Sequence, residues 1–220
     1  MTKSRVLGAI LYDNFELLDY YGPLEMFGNL GRDFKIVTVA EKAGSVKSVQ
    51  GPSTVVDVDF ANAPDLDFIL LPGGIGTSAE LENPVMIDFL KQRSATAEVV
   101  MSVCSGSALL AKAGILDGKR ATSNKLFFSL ASEQSDKVNW QPAARWVEDG
   151  NIFTSSGVSA GTDMALGVIA KIYGMEKAQE IAVMTEYEWQ SDPSHDPFAE
   201  YLNQGDIGQY MELLGIEVPG

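Results

Sequence analysis

Short, almost unbroken apolar runs alternating with helical patterns restrict the fold of this chain more than any other feature. Strands are expected over 6–12, 34–40 (Phe-Lys-Ile-Val-Thr-Val-Ala), 67–72 (Asp-Phe-Ile-Leu-Leu-Pro) and 98–103. Runs this continuous suit strands covered on both faces, as in parallel sheets, and not strands with one wet face. Helices are expected between them. Residues 19–30 carry Tyr20, Leu24 and Phe27 at helical spacing, and 84–94 follow Asn83 as N-cap with Pro84 at the first helical position. Further helices are expected over 105–113, 160–173 and 175–190, the last two divided by Gly174. Residues 143–147 and 151–155 flank Glu148-Asp149-Gly150 and read as a strand pair joined by a tight turn. The alternation implies the α/β class: a doubly wound, three-layer α/β/α sandwich with a mostly parallel central sheet.

At 220 residues the chain fits one domain, expected over 1–190. From about 191 it becomes rich in Pro, Asp and Gly and reads as a C-terminal surface extension, 191–220, with a short helix near 206–214. Val6–Tyr12 is too short and lacks the small-residue cleavage site of a signal peptide. One cysteine excludes an intrachain disulfide and suits a reducing cytoplasm. The net charge of −14 argues against nucleic-acid or anionic-membrane partners, which require basic surfaces. With one His and one Cys no Cys/His zinc site can be assembled, and neither a metal nor a cofactor is expected.

In open parallel sheets the site lies at the carboxyl ends of the strands. Cys104, the only cysteine, sits where the strand at 98–103 turns into a helix through Ser105-Gly106-Ser107. That is the arrangement of a nucleophile elbow, with N–H groups and a helix dipole that favour a thiolate; otherwise a lone Cys is buried filler. Pro72-Gly73-Gly74-Ile75-Gly76-Thr77 ends another strand. It has neither G-x-G-x-x-G nor a Walker lysine, so it reads as oxyanion-type donors, with the Ser105 N–H as a second donor, or as a turn that merely needs glycine. Asp19 is placed near the same edge as a proton relay or an ordinary N-cap, and Glu16 and Glu25 compete for the role. His195, the only histidine, lies in a loop-like tail with nothing to position it as a base. Tyr20, Tyr21, Phe127, Phe128 and Trp146 line a pocket or fill the core.

Five stretches together resemble the ThiJ/PfpI-type branch of the class I glutamine amidotransferase-like superfamily, over about residues 5–187. They are Leu18-Asp19-Tyr20-Tyr21-Gly22-Pro23, Leu71-Pro72-Gly73-Gly74-Ile75-Gly76, Ser102-Val103-Cys104-Ser105-Gly106-Ser107, Gly114 to Thr122, and Ser159 to Leu166. Within the branch the chain is most similar to isocyanide (isonitrile) hydratases. The resemblance implies a flavodoxin-like fold and places the nucleophile on Cys104 and its acidic partner on Asp19 rather than Glu16. The hydroxyl residue after the nucleophile, usually Thr, falls on Ser105. Peptidase-like relatives put His directly after the Cys, and many relatives carry His where this chain has Asn124.

The implied activity is an isocyanide hydratase-like lyase that adds water to R–NC and yields an N-substituted formamide. Cys104, Asp19 and Ser105 would be catalytic, and Gly73, Gly74, Ile75 and Asn124 would contact the small-molecule substrate. A ligand- or redox-sensing protein on the same scaffold is the alternative; a glyoxalase or deglycase, or an amidase or peptidase, is disfavoured by the missing Cys-His pair. Relatives are commonly homodimers, so a homodimer is expected.

Overall fold

In the computed structural model, which describes residues 4–215, the strands are β1 (Arg5–Ile10), β2 (Phe34–Ala40), β3 (Gly44–Lys47), β4 (Ser53–Val56), β5 (Val58–Asp59), β6 (Phe68–Leu71), β7 (Val99–Val103), β8 (Arg120–Ala121), β9 (Asn139–Trp140), β10 (Trp146–Asp149) and β11 (Ile152–Ser155). The helices are α1 (Leu17–Gly28), α2 (Thr77–Glu80), α3 (Pro84–Ser94), α4 (Gly106–Lys112), α5 (Phe128–Ser132), α6 (Ala160–Tyr173), α7 (Met175–Met184) and α8 (Ile207–Leu213). A seven-stranded sheet runs β10-β11-β7-β6-β1-β2-β5, parallel throughout except for β10, which is antiparallel to β11. Helices α1, α6 and α7 pack with one another, and α2, α3, α4 and α5 form a second group. The result is the α/β, flavodoxin-like sandwich expected from the alternation.

The central strands are buried along their whole length: every residue of β6 and β7 is buried, as continuous apolar runs require. Asn83 caps α3 with its side-chain oxygen on the Val85 N–H at 3.0 Å, and Pro84 opens that helix. The strand pair at 146–155 forms around Gly150, whose φ is +68°. Among the boundaries that differ from expectation, two change the reading. Helix α1 begins at Leu17, so Asp19 lies inside its first turn and is not its cap. Helix α7 ends at Met184, not at 190; beyond it Glu186 adopts a φ of +50° and the chain turns back toward α6. The hairpin β3–β4 and the short pair β8–β9 are additions that their four- and two-residue lengths hid.

The segment after α7 is tied to the core by buried charge. Asp163 of α6 accepts from the Arg145 Nε at 2.8 Å, from the Tyr187 hydroxyl at 3.1 Å and from the Gln190 N–H at 2.9 Å. Asp196, fully buried, lies 3.8 Å from Arg145 and 3.9 Å from the Lys125 ammonium. Burial pushes Lys125 down to about 8, with Asp196 opposing the shift. The last five residues of the expected extension, 216–220, lie outside the described residues.

Candidate active site

Strand β7 ends at Val103 and α4 starts at Gly106, which leaves two residues to turn the chain. Cys104 turns it with a φ of +56°, a left-handed conformation that costs a non-glycine residue free energy and persists only where surroundings over-determine it. They do so here. The Cys104 N–H donates to the Ser155 and Ser156 carbonyls at 3.2 and 3.3 Å. Its own carbonyl accepts from the Ser123 and Ser107 hydroxyls at 3.0 and 3.1 Å.

Gly73 lets the turn after β6 approach the elbow: a methyl group there would sit 2.6 Å from the Ser105 nitrogen and 2.9 Å from the Cys104 Cβ. The expected free N–H donors of this turn are mostly consumed. The Gly73 N–H donates to Asp19 Oδ2 at 2.9 Å, and the Gly74 N–H donates to Ser105 Oγ at 3.1 Å. Only the Ile75 N–H keeps no acceptor among the described residues. Ser105 likewise is not free to meet a ligand. Its hydroxyl is bonded to Thr77 Oγ1 at 2.8 Å, and Thr77 in turn to the Tyr12 hydroxyl at 3.0 Å, which donates to the Pro72 carbonyl. Ser105 therefore braces the elbow against the glycine turn.

Asp19 and Cys104 face each other across this turn. The second oxygen of Asp19, Oδ1, is buried with no hydrogen-bond partner, and Gly73 links the two groups: its N–H bonds to Asp19 Oδ2 while a Cβ on it would lie 2.9 Å from the Cys104 Cβ. Burial pushes the Asp19 carboxyl well above the usual carboxylate range, opposed by the Gly73 N–H and by the Cys104 thiol. Burial also pushes the Cys104 thiol well up, and the Asp19 charge adds to the shift. The Ser105 N–H and the Asn124 side chain act against it. The elbow's donors, which favour a thiolate, are thus opposed by a larger effect of burial.

Asn124 is oriented for its part. Its Oδ1 accepts from the Phe127 N–H at 3.0 Å, which leaves the Nδ2 hydrogens for the sulfur. Gly157, just past β11, leaves room for that amide: a Cβ there would lie 2.2 Å from Asn124 Nδ2 and 3.3 Å from Cys104 Sγ. We expect Gly157→Ala to displace the amide and to shift the pH profile of Cys104 alkylation by iodoacetamide to higher pH. The loss in thiolate at fixed pH should be about 10- to 100-fold, since a hydrogen bond to a charged group is worth ~1.5–3 kcal/mol. An unshifted profile would remove Asn124 as the sulfur's donor.

Other expected candidates lie elsewhere. Glu25 is exposed, and its Oε1 meets Asn29 at 3.4 Å. His195 is exposed and makes no hydrogen bond to the site among the described residues. Glu16 stands at the edge of the site, close enough for its charge to raise both Asp19 and Cys104. Tyr20, Phe128 and Trp146 are core residues, whereas Tyr21 is half-exposed and bonded to Thr54. An open groove of about 630 Å³ lies at the β10 edge between Arg120, Trp146 and Pro193, away from Cys104. No group of His, Cys, Asp and Glu among the described residues could hold a metal ion. No helix among them is long and apolar enough to cross a membrane.

The sequence pattern of the DJ-1/PfpI family matches residues 4–171, which include both Asp19 and Cys104. The chain belongs to the DJ-1/PfpI family. Among DJ-1/PfpI relatives, the isonitrile hydratase of Pseudomonas putida is 33% identical over 186 residues, 82% of this chain and 78% of that one. The HTH-type transcriptional regulator GbdR of Pseudomonas aeruginosa is 30% identical over 218 residues, 94% of this chain but 59% of the regulator. Among solved DJ-1/PfpI folds, a ThiJ/PfpI family protein from Pseudomonas syringae superposes with a TM-score of 0.77 at 30% identity, covering 98% of this chain and 86% of that one.

Gly157 was absent from the sequence-based site, and Thr77 stood at the end of its glycine turn without an assigned role. Gly157 follows β11, a strand parallel to β7, so the rule that sites gather at strand carboxyl ends points to it once the sheet order is known.

Proposed function

We propose that the protein is an isocyanide hydratase-like lyase in which Cys104 is the nucleophile and Asp19 moves the protons. The observation that carries this reading is the buried pairing of one thiol with one carboxylate, with no imidazole beside them. Such a pair can deliver the thiol proton to carbon and then move protons between water and nitrogen without a strong base.

The isocyanide carbon is attacked by Cys104 sulfur as the thiol proton passes through Asp19 to that carbon, giving a thioimidate, Cys–S–CH=N–R. Water then adds to the C=N bond. Asp19 takes a proton from the water and returns one to nitrogen, and the tetrahedral adduct expels the Cys104 thiol and leaves R–NH–CHO. The Ile75 N–H and the Asn124 amide are the donors available to charge that develops on the way, on sulfur or on the adduct. Asp19 and Glu16 make the site acidic, which suits a neutral substrate and not an anionic one. Regulation through ligand binding is the second reading, supported by the similarity to GbdR.

The test is the formation of N-alkylformamide from simple alkyl isocyanides, followed by a change in the mass of the protein under rapid quench. Formamide with a transient adduct on Cys104 is the expected result. Absence of turnover across methyl, isopropyl and cyclohexyl isocyanides would overturn the assignment, and ligand-dependent stabilisation or reversible Cys104 oxidation without turnover would favour the second reading.

A further inference from the structure

Cys104 is only 8% exposed, so some element must limit access to it. The C-terminal segment crosses the loop that carries Asn124. The Asn203 and Gly205 N–H groups donate to the Lys125 and Leu126 carbonyls at 2.8 and 3.0 Å, and Asn203 Oδ1 accepts from the Ser129 N–H at 2.8 Å. These bonds set α8 beside the site. There the Tyr210 ring meets the Phe127 ring at 6.1 Å between centroids, and its hydroxyl donates to Glu16 Oε2 at 3.1 Å. The other oxygen of Glu16 accepts from Gln50 at 2.5 Å, so that carboxylate is held from two sides. Tyr210 is near enough to the reacting groups that the charges of Cys104 and Asp19 raise its phenol, after burial and Glu16.

We propose that Tyr210 is a specificity-determining residue of the Cys104 site: tied to Glu16 and tilted against Phe127, it closes the mouth of the site and restricts it to small, uncharged ligands. The inference rests on Cys104 being the reacting thiol and goes beyond isocyanide hydration. Size is limited by the ring. Charge is limited by Glu16, which the Tyr210 and Gln50 bonds hold at the rim, with Asp19 behind it. Helix α8 is suited to opening: within it only Met211 is buried, while Ile207 and Leu213 are exposed at 51% and 80%. An element with so few buried contacts opens at low free-energy cost.

Alkylation of Cys104 in the full-length protein tests this without reference to any turnover. Tyr210→Ala is expected to speed reaction with iodoacetamide roughly tenfold, the gain when a site open about a tenth of the time loses its cover. The gain should be larger with N-phenylmaleimide than with iodoacetamide. Tyr210→Phe keeps the ring and loses the tie to Glu16, so it should give a smaller gain. It also serves as the conservative variant if the alanine form folds poorly. Glu16→Gln is expected to raise the iodoacetate-to-iodoacetamide rate ratio by about fivefold, the size of a unit-charge interaction at a wet rim. Unchanged rates in both Tyr210 variants, or an unchanged ratio in Glu16→Gln, would overturn the proposal. If isocyanides are substrates, Tyr210→Ala should raise kcat/KM for cyclohexyl relative to methyl isocyanide. If they are not, faster alkylation still supports the mouth and only the hydratase reading falls.

Discussion

Cys104→Ala is expected to abolish formamide production from an alkyl isocyanide, and Asp19→Asn to lower it by about 10²–10⁴-fold, the usual contribution of a positioned acid–base group. The two variants fail for different reasons. Alanine removes the only atom that can form the thioimidate. Asparagine keeps an oxygen for the Gly73 N–H, which now bonds to Asp19 Oδ2 at 2.9 Å, so the turn should hold its shape. What asparagine cannot do is accept and return a proton. The asparagine variant also has a signature that simple damage to the site would not produce. The Asp19 charge is one of the causes that raise the Cys104 thiol. Removing that charge should lower the thiol wherever the carboxyl is ionised, so Asp19→Asn should alkylate faster than the wild type at a pH above the raised Asp19 titration while hydrating more slowly. Alkylation that slows in parallel with hydration, or hydration at the wild-type rate, would exclude Asp19 as the relay.

Arg145→Met is expected to give the largest loss of stability, about 3–5 kcal/mol, because it strands buried carboxylates. Arg145 is bonded to Asp163 through Nε at 2.8 Å and Nη2 at 2.6 Å, and lies 3.8 Å from Asp196; both carboxylates are fully buried. That is a substantial share of the ~5–15 kcal/mol by which native domains are stable. In thermal unfolding the expected shift is roughly 10 °C, at ~2–4 °C per kcal/mol for a chain of this size. Adding Asp163→Leu should restore part of the loss, since an apolar pair often replaces a buried ion pair without penalty. Recovery should be incomplete because Asp163 also accepts from the Tyr187 hydroxyl and the Gln190 N–H. The pH dependence has a definite sign. Burial already raises the Asp163 carboxyl, and loss of its guanidinium raises it further. A carboxyl raised in the folded state favours folding while protonated and loses that advantage as pH rises through its folded value. The defect of Arg145→Met should therefore be smaller at about pH 5 than at about pH 8. A pH-independent defect, or one too small to shift the transition, would show that the cluster is not what anchors the segment after α7.

The central strands and the long helices were legible because single residues announce them. Asn83-Pro84 marks the start of α3, Gly174 with a φ of +97° divides α6 from α7, and the unbroken run of β6 requires cover on both faces. The short strands carried no such signal: Val58–Asp59 and Arg120–Ala121 are two residues long and owe their pairing to neighbours distant in sequence. The position of Cys104 at a strand-to-helix corner, and of Asp19 against the glycine turn beside it, was legible from the elbow and from the resemblance carried by Leu18–Pro23. The state of the thiol was not. Donors adjacent in sequence favour a thiolate, but burial is set by the whole fold and prevails. Nor could spacing show that Ser105 would be occupied by Thr77, or that Tyr210, 106 positions after Cys104, would stand at the mouth of its site. Those contacts arise from loops that meet only after the sheet has assembled.

The left-handed backbone of Cys104 has an evolutionary reading. At a φ of +56° glycine is unstrained, whereas a side-chain-bearing residue is held there at a cost of order 1–3 kcal/mol. Random drift judged on folding alone would replace this residue with glycine, because that exchange relieves strain in a chain whose stability margin is narrow. A cysteine at this corner is therefore a running expense met by the rest of the molecule, one that selection for folding opposes and that the proposed role of Cys104 as nucleophile would explain.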